Sequence, residues 1–136
     1  DMRRAWETAL AAAELVRAPV IPEPRLRERW FGDLVGTSSM DLDWRKEPPN
    51  GESLHDFVVR TQAGFHDALD TDASTLLVAH GGSLYVLVFS LGADLLEQHI
   101  ANATPLLFEY QAHASCWRIS NIAPKHVTAG YRRTAD

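Results

Sequence analysis

The stretch STLLVAHGGSLYVLVFSLG, residues 74–92, joins a short β-type run to an apolar, helix-compatible one through His80, Gly81 and Gly82. Ser74 to His80 is apolar on both faces, as a buried parallel strand is, and the two glycines turn it into a helix from about Ser83 to Leu91. Such a turn sets His80 at the carboxyl end of a strand. Open α/β sheets bind ligands there, because the first amides of the next helix point at the ligand and favour an anion. The glycines permit close backbone approach. A histidine capping a strand inside a hydrogen-bonded core fits the same three residues, so the neighbouring stretches must decide.

Working outward, RRAWETALAAAELVRA predicts a helix from Arg3 to Ala18, built of strong helix formers, with Trp6, Leu10 and Ala13 on one face and Pro19 as its stop. Gly51 to Leu69 predicts an amphipathic helix with Ser53 as N-cap and Leu54, Phe57, Val58, Thr61, Phe65, Ala68 and Leu69 toward a core. TPLLFEYQ and SCWRIS read as two later strands. The alternation predicts an α/β fold with helices on the faces of a sheet.

The 136 residues, 46% of them apolar, suffice for one compact domain, 1–136. A net charge of −5 leaves no basic footprint for nucleic acid. Any anionic ligand must therefore be met by a few placed arginines. A single cysteine, Cys116, allows no internal disulfide, and no signal-peptide pattern opens the chain, so a cytoplasmic location is expected. The apolar segment Leu84 to Leu91 falls far short of the roughly 20 residues of a membrane span. No metal is expected, since the six histidines lack the spacing of a zinc site.

Four motifs occur in order: Arg4, Ala5, Thr8 and Ala9 in RRAWETA; Glu28, Gly32 and Gly36 in LRERWFGDLVG; Gly51, Glu52 and Ser53 followed by Asp56 and Arg60; then His80-Gly81-Gly82, with Asn102 beyond. Together they resemble the histidine phosphatase superfamily, the phosphoglycerate mutase-like proteins, from Arg4 to about Asn102. The resemblance implies a three-layer sandwich with a mostly parallel sheet and helices on both faces. It also implies a phosphomonoester hydrolase working through a phosphohistidine. Arg4 looks like a phosphate-binding arginine, Glu28 like the carboxyl that protonates the leaving group, and His80 like the second histidine, which hydrogen-bonds the phosphoryl oxygens. The implied substrate contacts are Arg4, His80, Gly81 and Trp30, and no cofactor is implied. The implied partner is a small phosphorylated substrate, without nucleic acid or membrane, and a homodimer is compatible with it.

These residue types suit the chemistry. A transferring phosphoryl group spreads negative charge over its equatorial oxygens, so positioning and electrostatics dominate. Arginine offers phosphate a planar fork of donors, and a glutamic acid beside a dianion is pushed toward its protonated form. Each residue also has a plainer explanation. Arg4 would be a solvated helix arginine, as Arg3 is expected to be, and Glu28 would pair with Arg27 or Arg29. Capping and an ion pair explain Glu52, Ser53, Asp56 and Arg60. His55, His66, His99, His113 and His126 are expected on the surface; the tryptophans, Phe57, Phe65 and Phe89 are expected in the core or the pocket wall, with Trp30 at the rim.

Two departures stand out. The family's nucleophilic histidine belongs to an Arg-His-Gly motif on the first strand, and no Arg-His dipeptide occurs here. A strand-helix-strand unit of upwards of about 30 residues is thus expected upstream. Tyr85 stands where many relatives have arginine. The short interval from Arg29 to Asn50, with GTSSMDLDWRKEPPN as an open lid segment, and Gly82 in place of asparagine favour a phosphatase over a phosphoglycerate mutase. A non-catalytic phosphate-binding module is the third alternative. An esterase using His-Gly-Gly as an oxyanion loop would need a Gly-x-Ser-x-Gly elbow, and GTSSM lacks the final glycine.

Overall fold

A computed structural model of the chain describes residues 1–38, 41–96, 99 and 101–123. The chain forms two compact units, Asp1–Ser90 and Leu91–Asp136. The first holds α1 (Arg3–Val16), α2 (Leu54–Leu69) and α3 (Gly81–Leu91, which ends one residue past it). The second holds strands β1 (Leu106–Gln111) and β2 (Cys116–Asn121). Helices and strands are both present, as an α/β chain requires.

α1 stops two residues before the expected Ala18, because Arg17 takes a left-handed conformation (φ 54°) and its N–H caps the Ala13 carbonyl. Its contact face is also rotated. Ala5 is buried, Trp6, Ala9 and Ala13 are half-buried, and Leu10 and Val16 are exposed. The small side chains at i, i+4 and i+8 form the contact stripe, and Leu10 lies off it.

α2 follows its pattern more closely. The Ser53 hydroxyl accepts the Asp56 N–H at 3.0 Å and donates to the Asp56 carboxylate at 2.8 Å, a cap that contributes about 1 kcal/mol. Phe57, Thr61, Gly64 and Phe65 are buried, while Leu54 and Leu69, expected to face the core, lie exposed at the two helix ends. At Gly64 a side chain would meet Leu26 and Arg25, so the glycine lets the turn Pro24–Leu26 lie against the helix.

α3 begins at Gly81 rather than Ser83, with the His80 carbonyl accepting the Leu84 N–H at 3.0 Å. Its buried side consists of Gly82, Ser83, Val86, Leu87 and Val88. The Ser83 hydroxyl donates to the Leu26 carbonyl at 3.1 Å, so α3 and α2 both fasten the Pro24–Leu26 turn. Phe89, expected in the core, is 82% exposed and shares its side of α3 with exposed Tyr85, one helical turn away.

The expected strand Ser74 to His80 does not form, and the expected parallel sheet is not present among the described residues. A parallel strand takes backbone hydrogen bonds from neighbouring strands, and the only described strands, β1 and β2, pair with each other. That pairing is antiparallel, with Tyr110 opposite Trp117 and Glu109 opposite Arg118. The Arg118 guanidinium donates to Glu109 at 2.8 Å, and the two aromatic rings lie 5.5 Å apart, cross-strand contacts that hold this register.

Four of the expected surface histidines lie among the described residues; His55, His66 and His113 are exposed, but His99 is buried. Its Nδ1 accepts the Leu96 N–H at 3.1 Å, so a tight local turn draws the ring inward. His126 lies outside the described residues.

Candidate active site

Glu28 sits on a loop whose shape is set by two arginines. Arg60, from α2, donates to the carbonyls of Arg25 (2.7 Å), Arg27 (3.0 Å) and Glu28 (3.1 Å). The same guanidinium grips both oxygens of Glu52, at 2.5 and 2.7 Å, and lies over the Phe57 ring. Glu52 in turn accepts the Trp30 N–H at 3.2 Å, and its own N–H donates to the Trp30 carbonyl at 2.8 Å. The helix-start pair therefore splints the whole run from Arg25 to Trp30.

Arg29 is the second splint. It is 3% exposed, has no carboxylate in contact among the described residues, and donates to the carbonyls of Trp44 (2.5 Å), Lys46 (2.9 Å) and Glu52 (2.9 Å). Burial pushes its acidity up, with Glu52 and Glu47 opposing that shift. Through Arg29 the segment expected to be a lid is tied down at Trp44, whose ring packs against Phe31 and Phe57. Ser39 and Met40 of that segment lie outside the described residues.

Glu28 pairs with neither neighbouring arginine. Arg27 pairs with Asp1, while Glu28 accepts the backbone N–H of Arg29 at 3.0 Å and that of Gly82 at 3.2 Å. The acid loop is thus joined to the first turn of α3. Only glycine suits this contact, because a Cβ at position 82 would meet the Glu28 carboxylate and the Trp44 and Phe57 rings. At Gly81 a Cβ would meet nothing, so the close approach expected of both glycines belongs to Gly82 alone. Gly82→Ala is expected to destabilise the intact protein by about 1–3 kcal/mol through overpacking, read as a lower urea midpoint at unchanged slope.

His80 is half-buried beside this junction. Burial lowers its proton affinity, the Arg4 charge lowers it further, and Glu28 opposes both. His80 thus lies within electrostatic reach of Arg4 and Glu28 together. Arg4 itself enters no ion pair among the described residues, whereas Arg3 pairs with Glu7 in solvent, as expected. The depressed folded-state pKa fixes a sign: the unfolded chain takes up a proton near the ordinary value of 6.5 and the folded chain resists it. The stability of the intact protein should fall as pH drops below about 6.5 toward the folded value, with no contribution from His80 at higher pH. His80→Asn should flatten that slope in urea titrations at successive pH values.

An open cleft of ≈ 860 Å³ is lined by Arg4, Glu28 and Trp30, among others. His80 and Gly81 are not among its lining residues. Trp30 is exposed at the cleft, its indole N–H held by the Asn50 carbonyl at 3.0 Å. Asn102 is exposed in the second unit. No three His, Cys, Asp or Glu side chains among the described residues are placed to hold a metal, and no described helix is long and apolar enough to cross a membrane.

The splint made by Arg29, and the three carbonyl bonds that Arg60 adds to the ion pair expected of it, are what residue patterns did not single out. These bonds go to backbone carbonyls, which leave no mark on sequence spacing.

The family described as the histidine phosphatase superfamily, branch 1, matches residues 1–122. The chain is 29% identical to a 2,3-bisphosphoglycerate-dependent phosphoglycerate mutase of Bartonella bacilliformis, over 84% of this chain and 68% of that protein. It is 28% identical to a phosphoglycerate mutase of Schizosaccharomyces pombe, over 79% of this chain and 63% of the relative. A glucosyl-3-phosphoglycerate phosphatase of Mycolicibacterium vanbaalenii is 32% identical, over 67% of this chain and 50% of the relative. The chain thus spans between half and about two thirds of these relatives. No solved structure matches it. With its motifs in order and the match running from residue 1 to residue 122, the chain belongs to the histidine phosphatase superfamily.

Proposed function

We propose that the protein hydrolyses phosphomonoesters through a phosphohistidine, with Arg4 and His80 holding the phosphoryl group and Glu28 serving as proton donor. The nucleophilic histidine would lie in an Arg-His-Gly segment preceding residue 1, within a single domain that includes 1–136. In support, the relatives extend beyond the matched stretch, and residues 74–80 find no strand neighbour among the described residues. In the complete domain, 74–80 would join a mostly parallel sheet.

The observation that carries this function is the bond between the acid loop and the turn that directly follows His80. The acid loop is bonded to the first turn of α3, and His80, just before that turn, feels both Arg4 and Glu28. In the first step the upstream histidine nitrogen attacks phosphorus, the P–O bond to the alcohol breaks, and the proton of Glu28 passes to the departing oxygen. Water then attacks phosphorus, the P–N bond breaks, and the Glu28 carboxylate takes the proton of that water. Arg4 and His80 stabilise the charge on the equatorial oxygens throughout.

The test is phosphate release from a phosphomonoester by the intact protein, together with trapping of an acid-labile, base-stable phosphoenzyme. The 136-residue stretch alone should release none. Hydrolysis by that stretch would require a different nucleophile, isomerisation of phosphoglycerate without phosphate release would make the protein a mutase, and phosphate binding without turnover would make it a binding module.

A further inference from the structure

We infer that the site accepts phosphomonoesters of apolar alcohols and disfavours leaving groups that carry a second negative charge, an inference that rests on the hydrolase function just proposed. The cleft that Glu28 lines, where the departing oxygen would sit, has Trp30, Phe31, Leu34, Val35, Leu42 and Trp44 as the main apolar part of its wall, beside charged residues such as Arg4 and Glu52. Trp30 is 58% and Val35 60% exposed, so apolar surface is presented to solvent next to the acid. The Trp30 ring is oriented rather than loose, because its N–H is held by Asn50. Gly32, at φ 51°, fixes the turn that carries Leu34 and Val35, and a side chain there would strike the Pro49–Gly51 backbone. An apolar leaving group would cover this surface.

The charges around the cleft point the same way. Four arginines line it: Arg4, Arg27, Arg29 and Arg60. Arg27 is taken by Asp1, Arg60 by Glu52, and Arg29 by three carbonyls. Of these four only Arg4 is left to meet an anion, and the phosphoryl group needs it. A carboxylate on the leaving group would find no unpaired arginine there and would lose its hydration against an apolar wall. The relatives named for phosphoglycerate act on esters that carry such a carboxylate, so this chain should differ from them in preference.

Three primary alkyl esters of similar leaving-group basicity separate the possibilities: hexyl phosphate, glycerol 3-phosphate and 3-phosphoglycerate. For the intact protein, kcat/KM should favour hexyl phosphate over glycerol 3-phosphate by about tenfold or more, the scale of filling an apolar pocket, and over 3-phosphoglycerate by a larger factor. Trp30→Ala should narrow the first ratio. Val35→Lys, an exposed position that tolerates the change, should narrow the second by about tenfold. A preference for 3-phosphoglycerate, or ratios unmoved by both variants, overturns the inference while leaving the hydrolase function standing. Failure to release phosphate from all three esters overturns both.

Discussion

Replacing Arg60 with methionine should lower the stability of the intact protein by about 3 kcal/mol, the range in which removing one partner of a buried pair strands the other. The side chains of Arg60 and Glu52 are only 26% and 15% exposed, and Arg60 also satisfies three loop carbonyls. The substitution therefore leaves a carboxylate and three acceptors without their donor. Glu52→Gln keeps the shape and loses the charge, so the double variant should be less destabilised than the two single effects added together. The Arg3–Glu7 pair, 91% and 60% exposed, is the control: Arg3→Met should change stability by less than about 0.5 kcal/mol. Urea midpoints for the four variants measure this. A loss below about 1 kcal/mol for Arg60→Met would place the pair with ordinary surface ion pairs and remove its role as a splint.

Arg60 also illustrates what a sequence can and cannot carry. The helix it stands on was legible, because apolar residues recur at helical spacing and Ser53 precedes them. The order of motifs that places the chain in its family was legible too, since each motif is a local string. The ion pair expected of Arg60 forms with Glu52, but the carbonyl bonds of Arg60 and Arg29 were not legible, because each reaches a loop distant in sequence and any long cationic side chain at those positions would read alike. Alanine-rich α1 misled for a different reason: its contact stripe is Ala5, Ala9 and Ala13, and hydrophobicity alone draws attention to Leu10. Phe89 and the run 74–80 share a third cause. Both are apolar and were expected to be enclosed, but burial depends on what packs against them, and no strand among the described residues pairs with 74–80. His99 is the converse, a polar side chain drawn inward by one local hydrogen bond.

His80→Ala is expected to lower turnover of the intact protein by roughly 10²–10³, the effect of removing one preorganised donor from a developing charge. The size follows from where the ring stands. It precedes α3, and a helix N-terminus favours an anion, though the Gly82 amide is already committed to Glu28. With that amide engaged, the proposed site would leave a larger share of the phosphoryl charge to His80 and Arg4. In the free protein burial and Arg4 hold the imidazole toward its neutral form, and a bound phosphate dianion reverses that balance by favouring the imidazolium. His80 should therefore take up a proton on phosphate binding, a contribution that adds to the proton exchange of phosphate's own second ionisation and weakens binding as pH rises through the histidine range. Calorimetry of phosphate binding in buffers of different ionisation enthalpy measures that uptake directly. His80→Asn, which keeps a hydrogen-bonding side chain without a titratable ring, should abolish the part of the proton exchange due to the ring and leave only that of phosphate's own second ionisation. Undiminished proton uptake in that variant would assign it to another group, and wild-type turnover in His80→Ala would remove His80 from the chemistry altogether.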